Sequence, residues 1–306
     1  MNILRNNTDE NTTVLNQTPI TEKNIEYKSN GTFKYQKLET LLKVENLSCS
    51  FGDNVVLKDV NVEIKNVVRP ETKQGQIVGL CGNSGSGKTL LFEMLSGLRQ
   101  PTTGTVLINN NGKLEPVSVG QVGVVQQKYP LFEHRTIYGN LNVAAKKIYS
   151  SEKERKERIL HMLDRFKLSD KADYYPAQLS GGQRQRMAIA QQILCSENFL
   201  LLDEPFSGLD IKMVDKTCEL LQEISHSNDL NTIIIVSHVI EPTARIADTL
   251  WIMGRDYDEK NNPIAGSKIK YEYDLIEMGL AWQNDIENKP EFIDLMKDIK
   301  KKFTTL

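Results

Sequence analysis

The chain has 306 residues, 39% of them hydrophobic, and a formal net charge of -2 at pH 7. That length exceeds one average domain and can bury a sizeable core, while the near-neutral charge supplies no global basic field for nucleic acid. Four cysteines, Cys49, Cys81, Cys195 and Cys218, make no CxxC pair and no metal-ligand spacing, which suits a reducing cytosol. No stretch approaches the ~18 to 20 apolar residues of a membrane-spanning helix. The opening Met1 to Asn7 leads into a polar run, so no secretory signal is expected either.

Residues 1–40 are rich in Asn, Thr, Lys and Glu and carry no hydrophobic period, so they are expected to form a disordered polar tail. From Leu41 the texture changes. Short alternating runs, Leu41 to Phe51, Val55 to Leu57 and Val60 to Ile64, broken at Gly52 and Asn54, predict antiparallel strands. Ile77 to Cys81 reads as a buried parallel strand, followed by a glycine-rich loop and a helix over Leu90 to Leu98 stopped by Gly97 and Pro101. Ser151, with Glu154 three residues on, opens an amphipathic helix running towards Leu168, with Ile159, Leu163 and Phe166 on its apolar stripe. The apolar runs Phe199 to Leu202 and Thr232 to Val236 each end in polar residues, where parallel strands present their C-terminal ends and function gathers. Pro290 to Phe303 places Phe292, Leu295, Met296, Ile299 and Phe303 on one helical face, the pattern of a helix docked on the main domain.

Gly82-Asn83-Ser84-Gly85-Ser86-Gly87-Lys88-Thr89 matches GxxxxGK[ST] after a buried strand and at a helix start, as a phosphate loop requires. Its glycines let backbone N–H groups wrap phosphates, with help from the helix dipole. Lys88 is placed to reach the β- and γ-phosphates, and Thr89 to enter an octahedral Mg²⁺ shell. Taken alone, the loop says that a nucleoside triphosphate binds; kinases, GTPases, helicases and transport ATPases share it.

Leu179-Ser180-Gly181-Gly182-Gln183 opens a second helix whose N-terminus is another anion site. One chain should not need two. This stretch resembles the signature sequence of ATP-binding cassette (ABC) proteins, in which the signature of one subunit closes over the γ-phosphate held by the other. The resemblance covers Val44 to about Met253 and implies roles for further residues. Phe51 resembles the aromatic that stacks on adenine. Gln127, with Gln126 beside it as the alternative register, is similar by position to the glutamine that touches Mg²⁺ and the attacking water. Phe199 to Pro205 resembles the Walker B strand, with Asp203 holding Mg²⁺ through water and Glu204 as general base. Phe206 to Asp210 resembles the loop that crosses the dimer interface, and His238 the switch histidine at the γ-phosphate. Two departures stand out: Lys65 to Gln74, where the family has a short turn, is expected to be a longer surface loop, and Val239 follows His238 where many relatives carry an acid.

The fold expected is α/β, a P-loop (RecA-like) parallel-sheet core with an antiparallel β subdomain and a helical signature subdomain. An ABC ATP-binding domain is expected over 41–255, its helical subdomain over about 128–195, and a C-terminal extension of open role over 256–306. The leading expectation is an ATPase subunit, importer-like from Tyr175-Pro-Ala-Gln ahead of the signature. It would use ATP and Mg²⁺ and pair with a second ATP-binding subunit, a homodimer being expected. It would dock through Tyr129 to Arg135 on membrane-spanning permease chains at the cytoplasmic face of a membrane, with no nucleic acid. The alternative is a soluble, non-transport cassette ATPase in DNA maintenance, translation or cofactor assembly; the absence of coiled-coil heptads and of a second cassette weighs against it.

Overall fold

The structure, a computed structural model, describes residues 28–29, 33–70, 75–196, 199–226, 232–283, 285–304 and 306. Of the tail expected over 1–40, residues 1–27 and 30–32 lie outside these. The rest of that segment departs from expectation. After the two-residue strand β1 (Lys28–Ser29), strand β2 (Lys34–Phe51) is already under way at Lys34, and Tyr35 is buried. The cause is a distant partner: Gln36 and Lys37 pair with Val68 and Val67 of β3 (Asn54–Val68). The same pairing turns the first part of the surface loop expected over Lys65 to Gln74 into strand as far as Val68; residues 71–74 lie outside the described ones.

The parallel core consists of β4 (Gln76–Gly82), β7 (Gly123–Val125), β8 (Phe199–Asp203), β9 (Thr232–Ser237) and β10 (Thr249–Tyr257). β4 and β9 are buried at every position, which is why both read as near-continuous apolar runs. The antiparallel part adds β5 (Thr103–Asn110), β6 (Lys113–Pro116) and β11 (Pro263–Asp274). All belong to one sheet in the order β6-β5-β2-β3-β11-β10-β4-β9-β8-β7, with β1 paired to β2. Register shifts along β2 and β3 mark bulges, which bend and twist this part of the sheet. The boundary expected at residue 255 falls inside β10, and β11 returns antiparallel to it and meets β3 at Ser267↔Leu57. Residues beyond 256 therefore complete the sheet.

Helix α1 (Lys88–Leu95) begins two residues before the expected start and ends three before the expected finish. It stops because Gly97, at φ 74, turns left-handed and its N–H caps the Met94 carbonyl. Between β7 and β8 lie α2 (Ile137–Ala145), α3 (Glu152–Arg165) and α4 (Gly181–Ile193), with Ile159, Leu163 and Phe166 of the predicted stripe buried in one cluster with Ile137, Leu141 and Met187. Thr136, Ser151 and Ser180 cap the three helices, each worth about 1 kcal/mol. α5 (Ile211–Ser225) and α6 (Ile240–Ile246) follow β8 and β9. The last helix, α7 (Pro290–Phe303), buries Phe292, Leu295 and Ile299 in a cluster with Tyr35, Ala244, Leu250 and Ile252, as the docked-helix pattern predicts.

Candidate functional site

Neighbouring strand ends set the site. Register pairs Cys81 with Ser237 and Asp203 with Val236, so the C-terminal ends of β4, β9 and β8 form one row, and the residues that follow each strand project from it. Gly82 ends β4 where a Cβ would lie 2.8 Å from the Met253 carbonyl oxygen, and Gly87, at φ 86, lies where a Cβ would meet Leu57 at 2.8 Å. Both positions therefore require glycine, and the loop lies flat on β10 and β3 before α1 starts. Lys88 opens α1 and is nearly buried; its ammonium donates to the carbonyls of Gly82 and Asn83, each at 2.9 Å. Burial pulls the Lys88 pKa down, opposed by the charges of Glu204, Cys81 and Asp203. Asn83, Ser84, Gly85 and Thr89 are exposed, while the buried Ser86 hydroxyl has no hydrogen-bond partner among the described residues.

The Asp203 carboxylate, at the end of β8, makes no hydrogen bond or ion pair with a described residue, and burial, with the adjacent Glu204 charge second, pushes its pKa above the usual range. Glu204 has φ 51, a left-handed backbone uncommon in residues other than glycine, held there by its N–H bond to the Val236 carbonyl at 2.8 Å. Its carboxylate accepts from the His238 backbone N–H at 3.1 Å and the Ser237 hydroxyl at 3.3 Å, and lies 2.7 Å from His238 Nδ1. That contact is a hydrogen bond in the tautomer that carries the ring proton on Nδ1. The Gln127 side chain, two residues past β7, donates to the Ser207 hydroxyl at 3.2 Å; the backbone carbonyl of Gln126 accepts from the Tyr129 N–H at 2.9 Å. Phe51 is half exposed at the β2–β3 turn.

The signature lies apart from this row. Ser180 caps α4 by accepting from the Gln183 N–H at 3.3 Å, and the Gln183 side chain returns to the Ser180 N–H at 2.9 Å. Gly181 is exposed and Gly182 packs on Met213, the nearest atom to its would-be Cβ. Among the described residues no hydrogen bond or ion pair joins the signature to the phosphate loop. Asp210 caps α5 through the Met213 N–H.

Three further residues matter here that no sequence motif marks. Gln185, buried on α4, donates to the Pro205 carbonyl at 3.1 Å and accepts from Thr217 at 3.4 Å, tying the signature helix to the loop after Glu204. Arg184 forms an ion pair with Glu133 across the helical region. Ser237 braces Glu204 as described. Position gave the available hint: Gln185 lies two residues past Gln183 and Ser237 one before His238.

A family model described as ABC transporter matches residues 66–207. The probable ABC transporter ATP-binding protein PEB1C of Campylobacter jejuni is 32% identical over 219 residues, covering 70% of this chain and 86% of that protein. The chain belongs to the ABC transporter family. Sulfate/thiosulfate import ATP-binding protein CysA 2 of Rhizobium meliloti is 36% identical over 219 residues, 70% of this ABC chain. The chain spans 57% of that relative's length and 65% of the length of the corresponding protein from Pectobacterium atrosepticum. A dimeric post-hydrolysis structure of the ATP-binding cassette MJ0796 bound to ADP and Pi aligns with a TM-score of 0.58 at 27% identity, covering 77% of this chain and 99% of that one. The α/β architecture expected from the sequence is thus the ABC ATPase fold.

Proposed function

We propose that this chain is the ATP-binding and ATP-hydrolysing subunit of an ABC importer, working as a pair of copies beneath separate membrane-spanning chains. The observation that carries the reading is the single row at the strand ends, where the phosphate loop, Asp203-Glu204 and His238 stand side by side. Adenine stacks on Phe51. The triphosphate sits on the N–H groups of Gly82 to Thr89, and Lys88 exchanges its two carbonyl partners for the β- and γ-phosphates. Glu204 accepts a proton from the attacking water, and His238, held by Glu204 through Nδ1, turns its other ring nitrogen to the γ-phosphate.

Thr89, Asp203 and Gln127 would hold Mg²⁺. The donor set fits: Asp203 is a half-buried carboxylate with no side-chain partner among the described residues, its pKa raised by burial and by a second acid, which is the condition a divalent cation relieves. Bound there, the ion would neutralise charge developing on the phosphates.

The exposed signature cap of one copy, Ser180 to Gln183, closes on the γ-phosphate of the other, with Asp210 in the loop between them; this explains an anion site that has no ligand within its own chain. Among the described residues no helix is long and apolar enough to cross a membrane. Membrane contact is assigned to Tyr129 to Arg135. Buried Asn140 fixes this loop, accepting from Phe132 N–H at 2.8 Å and donating to the Phe132, Arg135 and Thr136 carbonyls, and so presents the exposed Phe132 rigidly to a partner. Import rests on the relatives' names, which lend nothing to the soluble alternative. Glu204→Gln tests the reading: ATP should still bind, and turnover should fall roughly 10² to 10⁴-fold, the worth of a general base. Unchanged turnover would remove Glu204 from the mechanism.

A further inference from the structure

Phe51 stands on the β2–β3 turn, in the antiparallel part of the sheet, whereas the phosphate loop belongs to the parallel core. A nucleotide bridging the two needs them held at a fixed spacing. The segment after α1 supplies the link. Glu93 lies in the last turn of α1, the helix whose first residue is Lys88, and its carboxylate takes the Arg99 Nε–H at 2.6 Å while its carbonyl takes the Arg99 backbone N–H at 3.1 Å. The Arg99 guanidinium then lies 5.5 Å from the centroid of the Phe51 ring, within cation–π range. Two further bonds lace the same segment to β2 beside the ring: Thr102 N–H to the Ser48 carbonyl at 2.9 Å, and Ser50 N–H to the Thr102 hydroxyl at 3.1 Å.

We infer that Arg99 is a positioning residue for the nucleotide base: anchored to α1 by Glu93, it covers one face of Phe51, fixes the ring's plane and leaves the opposite face to stack on the base. The inference rests on the ATP-binding reading above and adds a residue to it. Arg99 touches the ring and not the nucleotide, so its effect must pass through Phe51 and must depend on a base being present. A planar guanidinium, unlike a lysine ammonium, can hold the Glu93 carboxylate through Nε while its Cζ stays within cation–π range of the ring.

Equilibrium binding of ATP and of inorganic tripolyphosphate to the full chain tests this, in wild type, Arg99→Ala, Phe51→Ala and the double variant. Arg99→Ala should weaken ATP binding about two- to five-fold, the worth of an exposed cation–π contact, and leave tripolyphosphate binding unchanged. In the Phe51→Ala background the Arg99 substitution should have no further effect. Equal weakening of both ligands, an undiminished Arg99 effect without the Phe51 ring, or ATP affinity equal to wild type in Arg99→Ala would each overturn the inference while leaving the ATP-binding reading intact. A wild-type chain that binds neither ligand would remove that reading and the inference with it.

Discussion

Asp248 gives the fold a pH dependence that can be worked out in advance. It sits between α6 and the start of β10, 4% exposed, and accepts the Ile77 N–H of β4 at 2.7 Å. Burial pushes its carboxyl up from 3.8 to about 7, against the pull of the Ile77 N–H, the Trp282 indole and the Arg69 charge. A carboxyl raised in the folded state favours folding while protonated. The contribution is complete below pH 4, is lost as pH rises through 7, and is constant above that, because between those values the native state holds a proton that the unfolded chain has released. The full shift corresponds to on the order of 4 kcal/mol, of which about 3 kcal/mol falls between pH 5 and 8. Asp248→Asn removes the titration. Its amide oxygen can still accept from Ile77, but one indole or backbone donor loses its acceptor, a cost of about 1–3 kcal/mol that does not vary with pH. Urea unfolding followed by tryptophan fluorescence, at unit steps from pH 5 to 8, should show the stability of wild type relative to Asp248→Asn falling by about 3 kcal/mol over that range. Taking the difference cancels the titrating groups that do not interact with Asp248. A difference that stays flat, or grows with pH, would mean that Asp248 does not retain its proton in the folded state.

Lys88→Ala should abolish tight ATP binding in a direct titration, since a charge-assisted contact to two phosphates disappears; wild-type affinity would remove the phosphate loop from the site. Replacing both Leu131 and Phe132 with Asp should release the protein from native membranes in a sedimentation assay while leaving ATP binding by the isolated chain nearly unchanged. If membrane association persists in that variant while ATP still binds, the contact does not run through Leu131 and Phe132.

Local pattern carried much of this architecture. The buried run Ile77 to Cys81, the glycines after it and the helix start form a contiguous stretch whose chemistry and geometry are the same statement, and Ser180 with Gln183 lie three residues apart, so the cap they form is written in the sequence. What escaped was pairing at a distance. Tyr35 looked like part of a polar tail because the strand that orders its surroundings, through Gln36↔Val68, lies some thirty residues on. The segment past residue 256 looked like an appendage because β11 meets β3, its neighbour in the sheet order, at a position more than two hundred residues earlier, Leu57. Gln185 was passed over because a polar residue in a helix reads as surface until its partners, Pro205 and Thr217, are brought to it. Arg99 carries no motif at all; its meaning lies in the ring it covers, contributed by a different part of the sheet.

In the proposed dimer each copy completes the other's ATP site through its signature. Light scattering of Glu204→Gln with ATP and Mg²⁺ measures this most directly. The molar mass should double from that of the 306-residue chain, and the added substitution Ser180→Arg, which places bulk at the γ-phosphate seat, should hold the protein at monomer mass while ATP still binds. A mass that stays monomeric with ATP bound, or a dimer that forms equally well with Ser180→Arg, would contradict it.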